Sequence, residues 1–150
     1  MRIYMGPYPS ETSDGEREIS IELHDYDVWG MGTDLAMIIH PLLIMLKEKK
    51  QGCPFVDDAD VPEELQSKLS AHDIWQEDYE KMKAKWEYII ELMIWSMNEI
   101  RLEFPGENEF HILDENGEFV GFRQNCLEEY TEKINRGTAM FGKYFLALWD

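Results

Sequence analysis

Residues 82–104, MKAKWEYIIELMIWSMNEIRLEF, carry Met82, Trp86, Ile89, Met93, Met97, Ile100 and Phe104 at spacings of three and four, with Tyr88, Leu92 and Trp95 as a second stripe. Such spacing lines apolar side chains along the face of a helix. A helix with two apolar stripes needs neighbours on both sides. This segment is therefore predicted to be the central element of the fold, a helix over about residues 76–103 that Pro105-Gly106 ends. Rings and thioethers along such a stripe can also stack on a flat ligand, but the helical spacing favours a packed core.

Working outward, a second helix is predicted over about 33–51. Thr33 serves as its cap, and Leu35, Ile39, Leu42 and Leu46 recur at helical spacing. Pro41 lies inside this pattern; its missing N–H predicts a kink there, not an end. Lys47, Lys49 and Lys50 complement the negative helix end, and Gly52 and Pro54 stop it. A third helix is expected over 126–148, opened by a capping box of Asn125 and Glu128 and interrupted by Gly137 and Gly142, where another backbone or a ligand can approach closely. A short helix near 62–71 is expected to be capped by Asp60.

Alternating patterns at 2–5 and 17–24 read as strands, and Asn116-Gly117 marks a hairpin over 109–122 with Glu115 facing Glu118 and Leu113 facing Val120. The fold class that follows is α+β. Three main helices and one short helix pack with a small, mostly antiparallel sheet in a single domain, residues 1–150.

The chain carries 31 Asp and Glu against 14 Lys and Arg, a net charge of −17. A field of that sign repels nucleic acid and anionic membranes, and suits cations or a basic protein partner. Cys53 and Cys126 show no zinc-site spacing and read as free thiols in a reducing compartment. The first residues lack the apolar core of a signal peptide, and no apolar run reaches the roughly 18 residues of a membrane span, so a soluble intracellular protein is expected.

CPFVDDADVPEEL, residues 53–65, sets Asp57, Asp58, Asp60 and Glu63 within seven positions. Acidic residues at a helix start need no ligand, yet carboxylates joined by imidazoles can hold a hard divalent cation. The candidate metal ligands are His24, His40, Asp57 and Asp58, with Asp25, Asp27 and Asp60 nearby in the pattern. The segment is not an EF-hand loop, because the sixth and twelfth places counted from Asp57 hold Pro62 and Lys68. His72-Asp73 with His40 upstream gives a weak likeness to HD-type metal phosphohydrolases. There is no GxSxG, P-loop or GxGxxG. Tyr26, Trp29 and Thr33, between strand and helix, are candidates for ligand or partner binding along with Asp57, Asp58 and Asp60.

VWGMGTDLAMIIHPLLIMLKEKKQGCPFVDDADVPEEL, the closing FGKYFLALW and KWEYIIELMIWSMNEI together resemble a family of uncharacterised proteins encoded by tailed bacteriophages, including marine ones. The resemblance implies a phage origin and a place in the cytoplasm of the bacterial host; it implies no catalytic residues. The leading expectation is a non-enzymatic accessory protein that binds a host protein through an acidic surface, in host takeover or counter-defence. One alternative is a protein that sequesters a small ligand or nucleotide. The other is a divalent-metal-dependent hydrolase, the one reading that needs a cofactor.

Overall fold

The computed structural model describes residues 1–11, 16–69 and 78–149. Three long helices dominate: α1 (Met31–Lys49), α2 (Tyr79–Arg101) and α3 (Gln124–Lys143). Helix α2 packs against both α1 and α3, as its two apolar stripes require. Trp86, Ile89, Ile90 and Met93 of α2 are buried, closed over by Ala36 and Leu43 of α1, Val56 and Val61 of the connecting loop, and Met140 and Tyr144 at the end of α3.

Helices α2 and α3 meet tightly where Gly137 faces Ser96. A Cβ at Gly137 would lie 1.9 Å from Ser96 Oγ and 2.7 Å from the Leu92 carbonyl oxygen. The absent side chain sets the helix separation there. Gly142 has open space and no such role.

Several expected boundaries move. Helix α1 starts at Met31 with Gly30 as its cap, so Thr33 lies inside the first turn; the Asp34 amide donates to the Gly30 carbonyl at 2.9 Å. The helix continues through Pro41. Helix α2 starts at Tyr79 after Asp78, and Glu103 and Phe104 both take positive φ, 57° and 61°, which turns Phe104 out of the apolar stripe into partial exposure. Helix α3 opens at Gln124, so Asn125 caps nothing and Glu128 accepts from Gln124 Nε2 at 2.8 Å. It stops at Lys143, and a separate turn follows at Phe145–Ala147.

In its described part, residues 62–69, the short helix expected near 62–71 gives way to a single turn, Glu63–Leu65, preceded by another at Asp58–Asp60. The Asp58 carboxylate accepts from the amides of Ser67 and Lys68 at 3.0 and 2.9 Å. A continuing helix would aim those two amides at the carbonyls of Glu63 and Glu64, so the aspartate takes over donors that helix growth needs.

The strands form two separate antiparallel pairs instead of one sheet: β1 (Arg2–Met5) with β2 (Ile19–Glu22), and β3 (His111–Leu113) with β4 (Phe119–Phe122). At Asn116-Gly117 the turn differs from the two-residue form. Asp114 faces Glu118 through a 2.9 Å amide-to-carbonyl bond, and Leu113 faces Phe119. The Asp114 carboxylate accepts from the amides of Asn116 and Glu118 at 2.8 and 2.9 Å, which selects a three-residue loop with Gly117 at φ 80°.

Candidate functional site

Leaving α1, the chain runs without regular secondary structure to the acidic segment, where each aspartate has partners in the same molecule. Asp57 caps the first turn, accepting from the Ala59 amide at 3.1 Å, while its own amide donates to Tyr144 Oη at 3.1 Å. Asp58 lies 2.5 Å from the ammonium of Lys85, a side chain on α2 that is only 2% exposed. Burial raises the Asp58 carboxyl, but Lys85 and the amides of Ser67 and Lys68 outweigh that and bring it down to about 2.

Asp60 is 8% exposed and accepts from Tyr144 Oη and Lys143 Nζ, each at 2.5 Å, while Arg136 donates to its carbonyl oxygen at 2.8 Å. Burial, and then the bond to Asp60, push the Tyr144 hydroxyl well above the usual phenol range. The same pairing raises Lys143. Two lysines and a tyrosine thus fasten the acidic loop to α2 and the end of α3, the two ammonium groups offsetting most of the charge of the three carboxylates.

The other expected ligands lie elsewhere. His24 caps the turn Asp25–Val28 and stacks on Tyr26, with ring centroids 5.4 Å apart. His40, on α1, is held below its usual value by burial and then by the Arg101 guanidinium. A cation close enough to act on His40 also opposes metal binding there. No group of three His, Cys, Asp or Glu among the described residues is placed to hold a metal ion. His72 and Asp73 lie outside the described residues.

Tyr26 and Trp29 are strongly exposed, Trp29 at 90%, while Thr33 is half-buried in the first turn of α1. They follow directly on a hairpin with one apolar face. Ile3 pairs with Ile21 and Met5 with Ile19, so these four side chains share a face, and all four are exposed. Arg2, Tyr4, Ser20 and Glu22 occupy the other face.

A second apolar surface escaped the sequence reading. An open groove of about 520 Å³ runs between α1 and the last turn of α3 with the residues that follow it, with Leu42, Met45 and Lys49 on one wall and Phe141, Phe145 and Trp149 on the other. Its signal was the run of apolar residues around α1, more than one helix face can bury. Lys85 was also missed, since a lysine beside Trp86 reads as solvent-facing until a loop covers it. No known protein family, curated protein or solved structure matches this chain.

Proposed function

We propose that this chain is a non-enzymatic accessory protein that docks a basic protein partner on the first hairpin and the exposed residues that follow it. The carrying observation is the uncovered apolar face of Ile3, Met5, Ile19 and Ile21. A lone two-stranded hairpin is marginal in water, and exposing its apolar face forgoes the burial that would secure it. Leu23, Tyr26, Val28 and Trp29 extend the exposed apolar stretch along the chain.

Charge supports the choice of partner. Residues 1–34 contain eight Asp or Glu against two Arg, a net of −6. Apolar anchors amid acidic side chains suit a partner that presents apolar residues within a basic surface. The bacteriophage resemblance extends the proposal to a host protein in the bacterial cytoplasm, as a takeover or counter-defence target. No helix among the described residues is long and apolar enough to cross a membrane.

The metal-hydrolase alternative is less well supported, because Asp57, Asp58 and Asp60 are engaged by Lys143, Lys85 and Tyr144. The test is affinity capture from bacterial lysate with the wild type beside Ile21→Ser/Trp29→Ser. The expected outcome is a basic protein that the variant fails to retain and that elutes as salt rises from low to physiological levels. Equal retention by the variant, or elution indifferent to salt, rejects the proposal.

A further inference from the structure

The groove between α1 and the end of α3 with the segment that follows carries a separate inference, independent of the hairpin. Its volume of about 520 Å³ falls within the roughly 300–1,000 Å³ of small-molecule sites. Its walls are apolar except for Lys49. Phe141 and Phe145 meet edge to face at 5.6 Å and present a ring wall opposite Leu42 and Met45.

The placement of Lys49 identifies the polar end of an occupant. Its neighbours Lys47 and Lys50 reach across to α2, pairing with Glu91 at 2.6 Å and Glu87 at 3.3 Å. Lys49 lines the groove instead and makes no ion pair among the described residues. In a chain with 31 acidic and 14 basic side chains, an ammonium beside an apolar groove and without an ion pair among the described residues is a local match for an anionic head group. A nucleotide fits poorly, since the lining side chains offer no strong hydrogen-bond acceptor and, beyond Lys49, only the Trp149 indole N–H as a donor to a base.

We propose that the groove binds one anionic amphiphile of the fatty-acid class, the acyl chain lying between Leu42 and Phe145 and the carboxylate meeting Lys49. The net charge of −17 opposes any anion at long range. Affinity must therefore come chiefly from the buried chain, with Lys49 selecting the head group.

The experiment is calorimetric titration of the wild-type protein with octanoate, decanoate and dodecanoate, with 1-decanol as the uncharged probe. Binding is expected at one site per chain, tightening about tenfold to fifteenfold for each two carbons added. Lys49→Gln, at an exposed position, weakens decanoate about fivefold and leaves 1-decanol unchanged. Phe145→Ala weakens both probes, its fold checked by circular dichroism. Absence of saturation by dodecanoate overturns the proposal, as does equal weakening of decanoate and decanol by Lys49→Gln. So does a dimer on gel filtration that Leu42→Glu dissociates in a protein that binds none of the probes, since a second copy then fills the groove.

Discussion

Lys85 Nζ and the Asp58 carboxylate, 2.5 Å apart, join the central helix to the acidic loop at a point where the lysine is almost wholly out of water. The Asp58 carboxyl sits at about 2, below the roughly 3.9 of an unfolded aspartate. The folded state therefore binds that proton less tightly. The resulting stability is complete above about pH 5 and is lost as pH falls toward 2. With the Asp58 side chain 32% exposed, its share is about 1–2 kcal/mol after allowance for solvent screening. Urea unfolding of wild type and Asp58→Asn from pH 7 to 2.5 should show the gap between them narrowing as the pH falls.

At neutral pH, Asp58→Asn should cost about 2–4 kcal/mol, because the buried ammonium loses its counter-charge. Lys85→Met should cost less. Methionine replaces the aliphatic stem, and Asp58 keeps the Ser67 and Lys68 amides. The reverse order in chemical unfolding would show that the lysine, not the aspartate, holds the loop.

Gly137 and Gly142 look alike in sequence and should behave oppositely. Gly137→Ala drives a methyl group into Ser96 Oγ and the Leu92 carbonyl, so α2 and α3 must separate, at about 2–4 kcal/mol. Gly142→Ala meets open space within a helix and should stabilise by about 0.5–1 kcal/mol. Paired unfolding curves at one denaturant slope check both signs.

Legibility followed periodicity. The three helices were readable because Trp86, Ile89 and Met93, or Tyr130 and Ile134, repeat at helical spacing whatever surrounds them. The Glu63–Leu65 region was misread because the pattern cannot show that Asp58 captures the Ser67 and Lys68 amides from nine and ten residues away. The strands were found, but two hairpins that never pair look the same in sequence as one sheet. Tyr26 and Trp29 stand out in sequence through their place between elements, and that place leaves both exposed. The clamp of Lys85, Lys143 and Tyr144 joins residues far apart along the chain and has no local signature.

Tyr144 and Tyr130 provide a spectroscopic check on the buried polar contacts. Burial and then a carboxylate acceptor, Asp60 or Glu99, raise both phenols. A phenol raised by folding contributes stability below its unfolded value near 10 that is lost as pH rises. Alkaline titration at the tyrosinate absorbance should show a late fraction that disappears in Tyr130→Phe/Tyr144→Phe. At neutral pH, Tyr144→Phe alone should cost about 1–2 kcal/mol, since it also removes the acceptor for the Asp57 amide.

The hairpin face separates binding from stability more cleanly than any buried position. Trp29 is 90% exposed, so Trp29→Ser should change unfolding free energy by no more than about 0.5 kcal/mol. Ile21→Ser lies on an uncovered face and should cost less than about 1 kcal/mol, mainly through β propensity. A core isoleucine such as Ile89, truncated to Ala, should cost about 2–5 kcal/mol. If Ile21 and Trp29 do serve a partner, their substitutions should abolish capture while leaving the unfolding midpoint almost unmoved. A large drop in that midpoint for Ile21→Ser would mean that the face is covered within this chain, and the hairpin would lose its claim as the docking surface.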